Sequence, residues 1–337
     1  MTTGNICDVF LEREKEVLSP YAFLTSMTKG RMKPYTKCPN RTEFQRDRDK
    51  IIHSAAFRKL MNKTQVFLSP ADESYRTRMT HTLEVTQIAR IIARALRLNE
   101  DLTEAAALGH DLGHTPFGHA GETIMQECFS KEFTHYRQSL RVVDELERNG
   151  KGLNLTYEVR DGILNHTGDS MASTLEGVIV KFADRIAYIN HDLDDACRAG
   201  IIHKGDIPVE LTGILGGGHS ERINRMVTSV IDYSTGKNEI GMEKDILDAT
   251  MKLRVFLFET VYHNPVTQEE ERKSKDILAR LYYHYVKHPE QMPDPYLRNT
   301  AKEPVERCVC DFVAGMTDRF AIEKFNELFI PVIWRGR

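Results

Sequence analysis

Three histidines, His110, His114 and His119, fall within ten residues, and Asp111 follows His110 directly. They lie in EAAALGHDLGHTPFGHAGE, residues 104–122, laid over glycines and a Pro-Phe turn. A core has little use for so many imidazoles, because each buried ring must find partners for both nitrogens. A polar turn with satisfied histidines is the plain alternative. A metal or phosphate site is the reading that gives every group a task. His119 and Glu122 stand i, i+3 on a helix starting near His119, so the carboxylate can orient the imidazole.

Two other stretches hold groups of matching type. His81 lies in TRMTHTLEVTQIARIIARALRLN, where Leu83, Ile88, Ile91, Ile92 and Leu96 recur with helical spacing and Arg78 shares the face of His81. Asp184 lies in LEGVIVKFADRIAYINHDLDDA, where Asp184, Tyr188, Asp192 and Asp195 form one polar stripe on an apolar helix. A stripe of acids usually faces water, but Asp184 sits between Phe182-Ala183 and Ile186-Ala187. A buried carboxylate needs a cation or metal, or it takes up a proton. Together His81, His110, Asp111 and Asp184 offer two imidazoles, two carboxylates and no thiolate. That set suits one divalent ion of the Mn, Mg, Fe or Co kind better than structural zinc. On a six-coordinate ion it leaves positions for water and substrate.

The elements that position these groups read as helices throughout. Thr77 or Thr80 can cap the His81 helix, and Thr103 can cap a short Ala-rich helix ending near Gly113. FTHYRQSLRVVDELE reads as one amphipathic helix beginning at His135, and a loop, LSPADES, precedes the His81 helix. GILGGGHS (213–220) reads as a flexible loop whose glycines lack the context of a phosphate loop. EKDILDATMKLRVFLFETVYHN and two later segments continue the helical pattern, and no period-2 pattern with hairpin turns appears. The expectation is an all-α fold: an N-terminal segment (1–40), a catalytic core (41–200) and a C-terminal helical region (201–337) packed on that core.

Composition narrows the class. The 337 residues carry a net charge of only -3, which excludes a global basic field toward nucleic acid or membrane. A local basic run, RTEFQRDRDKIIHSAAFRKLMNKTQVF (41–67), reads either as a solvated helix face or as cations lining an anionic pocket. Six scattered cysteines, the nearest pair C-x-C, fit reduced thiols in a cytoplasm. No apolar run approaches a membrane span, so a soluble cytoplasmic protein is expected.

The residue blocks go further than the HD pair. FQRDRDKIIHSAAFRKLMNKTQVF (44–67), RMTHTLEV (78–85), HDLGHTPFGHAGE (110–122), ADRIAYINHDLDDA (183–196) and DFVAGMTDRFA (311–321) resemble the deoxyguanosine triphosphate triphosphohydrolase-like dNTPases of the HD superfamily. The resemblance covers most of the chain. It implies a helical HD-domain fold and metal-dependent hydrolysis of dNTPs to deoxynucleoside and inorganic triphosphate, by water attack at the α-phosphorus. His81, His110, Asp111 and Asp184 match the metal ligands. His119, Glu122 and His135 match groups of acid–base catalysis, and His114 a further active-site histidine. Arg78 resembles a phosphate contact, Gln65 a reader of the 3′-hydroxyl, Tyr188 the ring beside the deoxyribose and Asp192 a sugar partner. Arg185 stands where relatives place a lysine near the phosphates; Lys181 and Arg58 are further candidates. The resemblance also implies a homo-oligomer and, in some relatives, activation by a second dNTP. The rival readings are a nucleotide 5′-monophosphatase, a signalling-nucleotide phosphodiesterase, or a low-turnover regulatory HD protein with weak single-strand nucleic-acid binding through the basic run.

Overall fold

Helices take up most of the chain because apolar residues recur at helical spacing and side-chain caps fix the starts. The structure, a computed structural model, describes residues 5–65 and 75–331. The expected LSPADES loop, with Val66 and Phe67, lies outside the described residues. Among the described residues the β pairings are two isolated bridges, Arg31 with Thr156 and Thr64 with Thr77.

The N-terminal half holds α1 (Ile6–Val17), α2 (Glu43–Ile52), α3 (Ala55–Lys59), α4 (Arg78–Ala95), α5 (Glu100–Gly109), α6 (His119–Cys128), α7 (His135–Arg141), α8 (Glu147–Gly150), α9 (Tyr157–Leu164) and α10 (Leu175–Arg198). Then follow α11 (Val209–Leu215), α12 (His219–Ser234), α13 (Lys244–Leu257), α14 (Pro265–Lys287), α15 (Asp294–Asn299), α16 (Val305–Ala314) and α17 (Asp318–Phe329). Thr77 and Thr80 form a capping box at α4. Asn99, not Thr103, caps α5. Its side chain accepts from Leu102 N (3.2 Å), while Thr103 lies inside the helix with its hydroxyl on the Asn99 carbonyl. The FTHYRQSLRVVDELE segment is not one α-helix: α7 widens into a π-turn over Val142–Leu146. The 213–220 stretch is mostly helical, because α11 runs to Leu215 and α12 starts at His219.

Three apolar clusters hold the fold. The first joins Val85 and Ile92 of α4, Ile179 and Ile186 of α10, Leu211, Val230, and Leu253 of α13, so it crosses residue 200. The second packs Phe117 and Met125 against Leu278, Tyr282, Val309 and Phe312. The third joins Phe44 and Ile51 of α2 to Leu102, Leu108 and Ile163. The segment after α5 passes between these bodies. Gly113 is needed there, since a Cβ would meet Ser139 N at 2.1 Å.

Much of the basic run is internally paired. Arg41 meets Asp49 at 2.6 Å, Arg48 meets Glu104 at 3.3 Å, and Lys50 donates to the Asn154 carbonyl. Glu43 and Asp47 hold the buried Arg31 of the N-terminal segment.

Glu176, in the first turn of α10, ties three segments. Its Oε1 accepts from Phe23 N (2.9 Å) and Asn99 N (3.0 Å), and its buried Oε2 has no partner. Burial pushes this carboxyl up to about 7, against the pull of those N–H groups. An acid whose pKa rises on folding loses stability as pH climbs from its unfolded value toward its folded one, because only the unfolded chain ionises. Glu176→Gln keeps the accepting oxygen. It is expected to match the parent near pH 4 and exceed it by roughly 2–3 kcal/mol near pH 8. Urea unfolding at both values checks this; a pH-independent difference contradicts it.

Candidate active site

α4 and α10 cross so that His81 and Asp184 face each other, with His81 Nε2 3.1 Å from Asp184 Oδ1. The end of α5 brings His110 between them. Its Nδ1 donates to the Ala107 carbonyl (2.6 Å), which leaves the buried Nε2 as a lone pair without a partner among the described residues. That Nε2 lies 3.7 Å from Asp111 Oδ2 and 3.8 Å from Asp184 Oδ1. These spacings are near the roughly 3 Å that separates neighbouring ligands sitting 2.0–2.2 Å from one ion. The four residues therefore fit a divalent ion.

Electrostatics agree with that fit. Burial would raise Asp111, yet His110 and Arg78 hold it well below the usual carboxylate range. Burial would also raise Asp184, but the His81 hydrogen bond and His110 bring it down to about 2. Both are therefore anions, Asp111 buried and Asp184 half-buried at the cavity. A buried charge such as Asp111 persists only with cationic partners. Arg78 Nη1 supplies one to Asp111 at 2.7 Å.

Beside this group lies an imidazole cluster. His114 and His135 stack with ring centres 4.8 Å apart, and His119 stands 5.9 Å from His114. Glu122, expected to serve His119, is held first by His135. It accepts from His135 N (2.9 Å) and faces His135 Nδ1 at 3.1 Å, whereas His119 Nδ1 is 3.8 Å away. Burial would raise the Glu122 carboxyl, but its neighbours His119 and His135 hold it far below its ordinary value. Burial would lower His135, and Glu122 raises it instead. His166 completes the chain. Its Nδ1 donates to the Ile163 carbonyl (2.7 Å), so its Nε2 accepts from His135 Nε2 at 3.3 Å. Burial pushes His166 down to about 3. His135 thus carries its proton between a carboxylate and a neutral ring. Its nitrogens are committed, which argues against a second ion held by Asp111, His114 and His135 despite their close spacing.

A cavity of about 230 Å³ opens over both groups, walled by Gln65, Arg78, His81, Asp111, His114, His119, His135, Asp184, Tyr188 and Asp192. The wall also includes Thr167, Arg254, Phe258 and Tyr262. Arg254 stands in the last turn of α13, which then widens into a π-turn over Phe258–Tyr262 that carries Phe258 and Tyr262. Burial pushes Asp192 up to about 6, and the Tyr262 hydroxyl donates to it. A larger cavity, about 330 Å³, borders Leu112 and Gly113 and, of the expected site residues, touches Arg58 alone.

Not every expected residue arrives. Arg185 is not part of the cavity wall among the described residues, and Asp195 turns away to Arg76 at 2.7 Å. Lys181 donates to the Gly168 and Ser170 carbonyls, and Arg58 to the His53 carbonyl. Conversely, His166, Arg254, Phe258 and Tyr262 were not foreseen. The spacing Arg254, Phe258, Tyr262 (i, i+4, i+8) was the available signal, hidden in an ordinary amphipathic pattern.

Residues 78–189 match the HD domain and residues 240–327 the phosphohydrolase-associated domain. Over 323 residues the chain is 53% identical to the deoxyguanosinetriphosphate triphosphohydrolase-like protein of Caldanaerobacter subterraneus subsp. tengcongensis, covering 96% of this chain and 95% of that one. The chain belongs to the deoxyguanosinetriphosphate triphosphohydrolase-like family of HD-domain phosphohydrolases. A further family member, from Desulfatibacillum aliphaticivorans, is 48% identical over 346 residues, with 97% and 98% covered. The HD-family fold is shared with a phosphohydrolase of Bacteroides thetaiotaomicron at 18% identity and a TM-score of 0.54, over 83% of this chain and 68% of that one. No helix among the described residues is long and apolar enough to cross a membrane.

Proposed function

We propose that this HD-family protein hydrolyses deoxynucleoside triphosphates to deoxynucleoside and inorganic triphosphate, with water attacking the α-phosphorus. One observation carries the reading. His81, Asp111 and Asp184 of the fitting ligand set, with His110 directly behind them, share the wall of one cavity with His114, His119 and His135, two arginines and two tyrosines.

His81, His110, Asp111 and Asp184 would hold a divalent ion of the Mn, Mg, Fe or Co class. Such an ion supplies Lewis acidity, polarising a phosphoryl oxygen and acidifying a water. The chain's own residues do the rest. Arg78 and Arg254 set positive charge in the wall, where a triphosphate of roughly four negative charges needs it. Gln65 has a buried side-chain oxygen without a partner among the described residues, suited to receive a sugar hydroxyl. Tyr188, Asp192 and Tyr262 form the adjoining wall, where a ring against the deoxyribose would crowd a 2′-hydroxyl. His119, its side chain three-quarters exposed at the cavity, hands a proton to the departing 5′-oxygen. Glu122, 3.8 Å from its Nδ1 and itself held by His135, favours its charged form.

The test is a panel of dNTPs and NTPs, with and without a second dNTP and with several divalent ions, followed by product separation. Deoxynucleoside and inorganic triphosphate are expected, with NTPs turned over far more slowly. Release of orthophosphate would favour a phosphatase instead.

A further inference from the structure

The DFVAGMTDRFA block carries a buried carboxylate, Asp318, that takes no part in the chemistry above. It opens α17, yet the helix is already capped by Thr317, whose hydroxyl accepts from Phe320 N at 3.2 Å. Asp318 turns both oxygens elsewhere. Oδ1 accepts from Phe117 N (2.9 Å), and Oδ2 accepts from Thr64 N (2.8 Å) and the Thr64 hydroxyl. A single carboxylate thus satisfies three donors on segments 201 and 254 residues away.

Both segments end in the cavity. Gln65 directly follows Thr64, and His119 lies two residues after Phe117. Phe117 has φ +60, a left-handed conformation rare for a residue with a bulky side chain. Such a conformation persists only where the surroundings over-determine it. Gly118 also has φ +60, with ψ -131, a region glycine alone adopts readily, and a Cβ there would meet the Gln65 carbonyl at 3.2 Å. The two segments therefore press on each other, and Asp318 grips both. A neighbouring tie runs the same way, since Lys63 Nζ donates to the His114 carbonyl and to Ala314 O of α16.

We propose that Asp318 is a positioning residue that sets Gln65 and His119 against one another, so that the C-terminal helices hold the catalytic loop in register. The proposal rests on the dNTPase reading for the roles of those two residues. A merely structural tie would change the amount of folded protein and leave each folded molecule unaltered.

Full-length Asp318→Asn decides between them. It keeps one accepting oxygen but presents an amide to a second donor. Relative to the parent, kcat is expected to fall about 10- to 100-fold, as for other groups that orient an active site. Bound metal and inhibition by inorganic triphosphate should stay within about twofold, while inhibition by deoxyguanosine weakens. Should that protein not fold, Thr64→Val, which removes only the hydroxyl donor, is expected to weaken deoxyguanosine with triphosphate inhibition kept. An unchanged kcat, or equal losses of triphosphate, metal and nucleoside binding, overturns the proposal. A parent protein inactive on every dNTP would instead sink the functional reading, which separates the two failures.

Discussion

Asp184→Asn is expected to leave the helical fold intact, to abolish most divalent-ion binding and to slow dNTP hydrolysis by at least about 10³-fold. The substitution removes one negative charge at nearly constant shape. Asp184 is the group that links His81, 3.1 Å away, to His110, 3.8 Å away. A neutral amide is a poor ligand for a hard cation, and its NH₂ would face imidazole nitrogens that also seek a positive partner. Arg78 still neutralises Asp111, so no buried charge is stranded. Metal content by elemental analysis, set beside initial rates, checks both halves. A variant that keeps its ion yet loses activity would mean that Asp184 serves the substrate instead.

His119→Ala is the second large effect, and it separates chemistry from metal binding. Loss of a general acid typically costs 10²- to 10⁴-fold in rate. That range is expected here, with metal content and inorganic triphosphate binding unchanged. His119 is exposed while His81, His110 and Asp111 are buried, so its removal leaves no cavity and no unpaired charge. His135 is unable to take over easily, since it is held between Glu122 and His166. Full activity in the alanine protein would move the proton donor to His135. The matching test is then His166→Ala, which frees the far side of that ring.

The grouping of His81, His110, Asp111 and Asp184 was legible because these residue types are costly anywhere else. Two imidazoles, an adjacent His-Asp pair and an acid framed by apolar neighbours have few structural uses, and the fold does bring them together. The helical class was legible from spacing alone. Other features depend on distant partners that no local pattern reveals. Asp195 shares the stripe of Asp184 but is taken by Arg76, 119 residues earlier. Thr103 looked like a cap, yet Asn99 stands where the chain turns and wins the first-turn N–H. Arg254, Phe258 and Tyr262 recur at the ordinary helical period, so nothing local marks this face as cavity wall; Arg254 comes from α13 itself, Phe258 and Tyr262 from the π-turn after Leu257. Glu122 was assigned by i, i+3 spacing to His119, whereas a backbone N–H and a ring nitrogen of His135 bind it closer.

The most direct test follows the oxygen. dGTP is hydrolysed in ¹⁸O-labelled water and the products are read by phosphorus NMR and mass spectrometry. Attack at the α-phosphorus breaks its bond to the 5′-oxygen, so the label should appear on one end phosphorus of inorganic triphosphate and never in deoxyguanosine. Label in orthophosphate, in a nucleotide, or on the deoxyguanosine 5′-hydroxyl would contradict the account.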